Sequence, residues 1–442
     1  MSGRETQGPG TSLAKTITAP LLLLLVVGDI LGAGIYILVG EVAGELDGAA
    51  WLGFTLAFAI AAASAASYAE LVTRFPGSAG SALYAREAFG REGLTFVVGM
   101  AVMLSSLATA ATTTRAFAGD YLAEFVDLPV VAVSLAVLAV LTLVSIRGIE
   151  LSAKVNVGMT LVEIGGLVLV LVIGGAALID GGGDPGRITD FSSVGPDALL
   201  TATALAFFAF LGFEDAVHLS EEVPDVRRVF PRVLFGAVVI ASVLYLAVVL
   251  VATATVDPAV LAASDGPLLE VVATGPLAIS TRWFALVALV AVTNTSLFAL
   301  VAASRLVYGM ATDGSLPHPL ARVHPSWRTP ITASLLVAAL AAVLATTGAV
   351  EELATAAVTL LLTVLVGVNA AAATTRGRPE AEAAFRAPRL VAPAAAIAAG
   401  SLLTHQLITS SSAEWLRLGA LMLIVVLAWL ATRTRLRSTP GS

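Results

Sequence analysis

The chain has 442 residues, 58% hydrophobic and only 12% charged, with a mean hydropathy of +0.94; soluble domains carry about 25% charged and about 45–50% apolar residues, so a soluble globular fold is excluded. A net charge of −7 argues against nucleic acid as a partner. The only lysines, Lys15 and Lys154, each follow alanine, which excludes a Walker phosphate loop and leaves no ATP motor in this chain. The absence of cysteine removes disulfides, thiolate nucleophiles and Cys-based metal sites.

After a polar start, an apolar run extends from about residue 17 to 39, too long for the core of a cleavable signal peptide, and reads as a retained first span. Further helix-length apolar segments follow near 49–73, 93–118, 129–146, 155–179, 198–219, 233–256, 283–311, 331–349, 352–375, 388–409 and 415–432. None alternates with period two, so the expectation is an all-α polytopic bundle of about twelve transmembrane helices and not an outer-membrane barrel. With the N-terminus in the cytoplasm, only Arg115, Arg187, Arg282 and Arg417 of the 24 basic residues fall outside. The positive-inside rule therefore places both termini in the cytoplasm of a cell-membrane protein. The Gly181 to Gly186 stretch precedes no helix at a phosphate-binding offset and reads as a flexible outer connector.

Two spans have unusual centres. The first reads Val27-Gly28-Asp29-Ile30-Leu31-Gly32-Ala33-Gly34-Ile35-Tyr36, and the sixth reads Phe207-Phe208-Ala209-Phe210-Leu211-Gly212-Phe213-Glu214-Asp215. Mid-helix glycine costs about 1 kcal/mol relative to alanine and permits local unwinding. The freed backbone groups are tolerated at membrane depth only where they line a cavity, and half-helix ends then attract opposite charges, a match for a zwitterion. Gly28 and Gly32 also form a small-xxx-small pair suited to plain helix packing. The five-span offset between the two clusters makes the halves antiparallel and favours a transport site.

These residues resemble the amino acid-polyamine-organocation (APC) superfamily of permeases. Leu31 to Tyr36 is similar to the Gly-x-Gly-Ile-aromatic motif of its first span, and Phe207 to Asp215 with Glu221-Glu222-Val223-Pro224 to its sixth. Tyr68-Ala69-Glu70-Leu71, Phe75 to Tyr84, Ser304 to Met310 and Asp313 to Pro317 agree in order, so the resemblance covers about residues 15 to 435. It implies a five-plus-five inverted repeat with two extra C-terminal helices. Carried over, the boundaries are a tail at 1–15, a first repeat at 16–180, a second at 181–376, and helices 11 and 12 with the cytoplasmic tail at 377–442. It also implies alternating-access transport of amino acids or polyamines. The substrate carboxylate would meet the N–H groups of Ala33 and Gly34 beside Gly32, and its ammonium the carbonyls of Ile30, Phe208 and Leu211 near Gly212. Phe208 would cover the pocket. Many relatives have Ser or Thr where Ala33 stands, so one hydroxyl donor is missing here.

Ionisable residues within spans mark function by default, because burial costs several kcal/mol unless a partner or proton compensates. Here they are Asp29, Glu163, Glu214 and Asp215. Some proton-coupled relatives place lysine where Glu163 stands, so Glu163 and Asp29 are the expected ion-coupling groups, for a proton or for sodium. Glu214 reads as a substrate contact and Asp215 as a cap for freed N–H groups. Asn294-Thr295-Ser296 offers oxygens that suit a cation, but reads first as backbone-bonded packing. The histidines lack metal spacing, and no metal or cofactor is expected. The expected partners are an amino acid, a proton or sodium, and the bilayer. Proton symport is favoured over exchange or sodium-coupled uptake; a channel or sensor on the same scaffold is the reading without transport, and the signatures of membrane hydrolases are missing from the sequence.

Overall fold

The computed structural model describes residues 13, 15–264, 266–275, 281–376 and 384–411, with positions 415, 419 and 423. Among these residues the secondary structure is entirely helical. Seven helical stretches are long and apolar enough to cross a membrane, namely Ala19–Arg74, Glu92–Glu124, Ile149–Ile179, Val226–Thr255, Thr281–Thr312, Val350–Thr375 and Val391–Thr409. Val130–Ile146, Pro196–Phe208 and Ile331–Thr347 are shorter apolar helices. The protein is a multi-pass membrane protein.

The first expected span is two helices, α1 (Ala19–Leu31) and α2 (Ala33–Leu46), separated at Gly32. The rest are α3 (Trp51–Arg74), α4 (Gly80–Phe89), α5 (Glu92–Ala116), α6 (Val130–Ile146), α7 (Ile149–Ile179), α8 (Pro196–Phe208), α9 (Val226–Thr255), α10 (Pro258–Ala263), α11 (Pro267–Thr274), α12 (Thr281–Thr312), α13 (Ile331–Thr347), α14 (Val350–Thr375) and α15 (Val391–Thr409). The expected twelfth span, 415–432, lies outside the described residues apart from three isolated positions.

Local chemistry explains many of the boundaries. Pro20, Pro196, Pro258 and Pro267 sit at the first or second helical position, where the missing N–H costs nothing. The sixth expected span does not continue as α-helix past Phe208. Residues 209–214 form turns, and Asp215–Glu222 winds as 3₁₀-helix. Three short helices were not anticipated: α4 follows the Phe75 to Ala79 turn, and α10 and α11 lie between α9 and α12. Their runs of ten, six and eight residues are too short to register as spans.

The region from Gly181 differs from the flexible connector expected of it. Asp184 accepts the Gly186 N–H at 2.9 Å and donates its own N–H to the Ala254 carbonyl at 2.8 Å, and the Trp51 indole donates to the Ile188 carbonyl at 3.0 Å. Paired backbone groups hold this loop in place.

α1, α2 and α8 lie inside the bundle. α1 packs on α7, α9 and α12, α2 on α8, and α3 on both α8 and α9. Outside this centre, α5 packs on α12 and α14, and α6 on α13. Small residues make these approaches possible: a side chain on Gly34 would collide with the backbone of Ala209, where the two interrupted spans touch.

Candidate functional site

The α1–α2 break is set by Gly32, whose φ of −57° and ψ of −134° leave the helical region. Facing it, Gly212 has a φ of +122°, a conformation that L side chains rarely adopt. A Cβ on Gly212 would also strike the Asp29 carboxylate, so Asp29 lies directly against the second break. The two breaks therefore meet through Asp29 and Gly212 on one side and Gly34 and Ala209 on another.

The opposite face of α1 is packed. Gly28 abuts Thr160 of α7 and Asn294 of α12, and Gly32 abuts Thr295. Packing and interruption coincide in one helix: Gly28 and Gly32, one turn apart, admit α7 and α12, while Asp29 points to the sixth span.

The freed backbone groups have definite partners. The Ala33 N–H donates to Thr295 Oγ1 at 3.0 Å. The Tyr245 hydroxyl of α9 donates to the Ile30 carbonyl and contacts the Ala209 carbonyl at 3.2 Å. The Phe208 carbonyl accepts the Leu211 N–H at 3.2 Å. Ala33 and Ile30, expected to face a substrate, are thus held by side chains from α12 and α9 in this conformation. Phe208 and Leu211 are buried, and Phe208 lines a cavity of about 60 Å³ bounded by Leu38, Glu41, Glu351 and Gln406.

Four carboxylates gather around these breaks. Asp29, Glu163, Glu214 and Asp215 are each at most 5% exposed, and the other three act electrostatically on Asp29. Glu214 accepts the Gly212 N–H at 3.0 Å, whereas Asp215 faces Ser106 of α5, whose hydroxyl lies 3.2 Å and 3.3 Å from its two oxygens. Asp215, expected as a cap, thus makes a side-chain contact with α5, and Glu214 bonds the turn at Gly212 without capping the 3₁₀ segment that follows. Glu163 accepts from Asn294 Nδ2 at 3.3 Å, and the same amide contacts Thr160 Oγ1 at 3.2 Å. Asp29 Oδ2 and Glu163 Oε1 have no hydrogen-bond partner among the described residues. Among those residues, none of the ion pairs includes any of the four acids, and no metal-ligating cluster is present.

Thr160, Asn294, Thr295, Tyr245 and Ser106 were not singled out as site residues from the sequence. Thr160 and Glu163 stand three residues apart on one helix face, a visible signal. Ser296 bonds Val292 one turn back, as expected, but its neighbours Asn294 and Thr295 turn toward α1 and α7. Tyr245 is one of only six tyrosines, and its polar tip in an apolar span needs a partner.

The other motif residues hold the side away from the Phe208 cavity. The Gly77 N–H donates to Ser220 Oγ at 3.0 Å, the Ser78 N–H to Glu221 Oε1 at 2.9 Å, and His218 Nδ1 lies 2.9 Å from the Ser78 carbonyl. Arg305 of α12 pairs with Glu222 at 3.6 Å, both side chains fully buried. Glu70 binds Arg74 and Arg376 at 2.7 Å each and accepts the Ala387 N–H.

Two interrupted helices crossing inside a bundle of apolar spans, with buried acids at the breaks, define a multi-pass membrane protein of the transporter class. The chain belongs to the amino acid permease family of the APC superfamily, whose model matches residues 20–431. It is 31% identical over 342 residues to cationic amino acid transporter 9, chloroplastic, of Arabidopsis thaliana, covering 72% of this chain and 58% of the plant protein. It is 29% identical over 413 residues to the methylthioribose transporter of Bacillus subtilis strain 168, covering 87% of this chain and 86% of that one. An uncharacterized transporter of Mycobacterium tuberculosis is 33% identical over 333 residues, covering 72% of this chain and 71% of its own length. These relatives are transporters, and the chain is not an enzyme.

Proposed function

We propose that this protein is a secondary active transporter of amino acids that works by alternating access and couples uptake to protons. The observation that carries the reading is the group of four buried carboxylates around two helix breaks, with no fixed cation paired to them among the described residues. Buried charge of one sign must be neutralised by bound protons or by an arriving cation, because the desolvation cost of an uncompensated ion is several kcal/mol. A substrate ammonium and a coupling proton meet that need.

In this reading Ile30, Gly32, Ala33, Gly34, Phe208, Leu211, Gly212 and Glu214 bind substrate. Its carboxylate displaces Thr295 from the Ala33 N–H, and its ammonium approaches the carbonyls around Ile30. Glu163 and Asp29 carry the coupling ion. The chain divides into repeats at 16–180 and 181–376, an assignment supported by the packing of α3 on α9, α5 on α12 and α6 on α13, each pair five spans apart. It resides in the cell membrane with both termini in the cytoplasm. A cationic side chain on the substrate is favoured by Asp29, Glu214 and Asp215, in keeping with the plant relative's name.

The test is uptake into proteoliposomes of labelled lysine, arginine, leucine and methylthioribose, with and without an imposed pH gradient, a sodium gradient or internal substrate. The reading expects amino acid accumulation driven by the pH gradient. Accumulation of methylthioribose alone would overturn the substrate class, sodium dependence would overturn the proton, and flux only against internal substrate would replace symport by exchange.

A further inference from the structure

The end of α6, the start of α7 and the loop before α13 line an open cavity of about 380 Å³. Its charged lining is Arg147, Lys154 and Arg328, with Glu150 as a carboxylate, so cations are in excess. The aromatic wall is built. Trp327 stacks on His324 with ring centroids 4.6 Å apart, and the Arg147 guanidinium lies 5.6 Å from the centre of the indole. The Trp327 backbone N–H donates to His324 Nδ1 at 3.2 Å, and Thr329 Oγ1 donates to the Ile146 carbonyl at 2.8 Å, fixing the loop to the end of α6. Arg328 donates to the Leu13 carbonyl.

The surfaces leading away from this cavity are apolar and uncovered. Along α6, Val140 and Leu143 share the face of Arg147, at 59% and 55% exposure. Along α7, Leu151 and Leu161 flank Lys154 on one face, both exposed, and Leu335 is exposed one turn into α13, which packs on α6. A cationic concavity with a tryptophan at its lip and aliphatic stripes running from it across the spans matches one ligand: a phosphate-bearing headgroup whose acyl chains lie along those stripes. Tryptophan settles at headgroup level, and basic pockets between spans on the cytoplasmic side bind anionic headgroups.

We infer that the Arg147–Lys154–Trp327 cavity is a binding site for the phosphate headgroup of an anionic phospholipid of the inner leaflet. The site uses none of the residues assigned to substrate or ion and does not depend on which solute is carried.

The test uses the full chain purified in a neutral detergent. Phosphatidylglycerol, phosphatidylcholine and inorganic phosphate are each titrated at constant ionic strength, with lipid adducts counted by native mass spectrometry and unfolding followed thermally. Phosphatidylglycerol is expected to be retained and to raise the melting temperature, and phosphatidylcholine to do neither. Lys154→Gln is expected to weaken retention about fivefold, and Arg147→Gln with Lys154→Gln about 25-fold, while Lys154→Arg retains it. Lys154 is exposed, so its single substitution reads binding without threatening the fold. Equal retention of the two lipids, equal retention by the doubly substituted chain, or stabilisation by inorganic phosphate alone would each overturn the inference.

Discussion

Glu163 and Asp29 were legible in the sequence as acids stranded in apolar spans; what surrounds them was not. Glu163 seemed isolated because its partner, Asn294, lies 131 residues away, and only the packing of α7 on α12 brings the two together. Asp215 meets Ser106 and Glu214 meets the Gly212 N–H because the turn after Phe208 points consecutive side chains in different directions, which no helical periodicity foretells. At this scale, Glu163→Gln preserves the shape and the Asn294 contact while removing the titratable oxygen. It is expected to abolish accumulation driven by a pH gradient yet to spare exchange, read by paired gradient and counterflow assays in proteoliposomes. Unchanged gradient-driven accumulation would remove Glu163 from the mechanism. Thr295→Val deprives the buried Ala33 N–H of its acceptor, and should cost about 1–3 kcal/mol of thermal stability without substrate. Thr295→Ser should restore it.

Among the elements, the interrupted helices were readable because glycine and carboxylate residues coincide at the centre of an apolar run, a combination a continuous span has no use for. The short helices α4, α10 and α11 and the ordered loop after Gly181 were not, since each is defined by tertiary contacts and not by hydrophobic period. Glycines divide sharply by what they face. Gly212→Ala would force a strained backbone, at about 1–3 kcal/mol, and press a methyl group into Asp29; the expected outcome is lower stability and at least tenfold slower transport, roughly 1.4 kcal/mol on the barrier. Gly158 on α7 has open space around it, so Gly158→Ala should gain up to about 1 kcal/mol from helix propensity and leave uptake unchanged. Thermal unfolding and initial uptake rates of the two variants side by side make the comparison.

For the whole molecule, the class followed from composition alone: so little charge over so many apolar residues leaves only membrane architectures, and the lack of period-two alternation leaves only helices. What composition could not convey is how distant segments are fastened to one another. The family motifs around Glu70, Ser78, Glu222 and Arg305 read in the sequence as signposts, and in the fold they are bolts between distant segments. Arg305→Met strands the buried Glu222 charge and is expected to cost about 3–5 kcal/mol, whereas Arg305→Met combined with Glu222→Gln should recover much of that loss. Chemical unfolding of the single and double variants in one detergent gives the answer, and equal losses in both would mean that the pair contributes by shape and not by charge.

The tight winding of Asp215–Glu222 has a mechanical corollary. At about 2.0 Å of rise per residue in place of about 1.5 Å, its eight residues reach roughly 16 Å where ordinary α-helix would reach roughly 12 Å. The segment is thus stored at extended length between the Gly212 turn and the Arg305 anchor. Rewinding as ordinary α-helix would shorten it by roughly 4 Å and draw on the loop at Ser78, which the neighbouring Ser220 and Glu221 side chains hold.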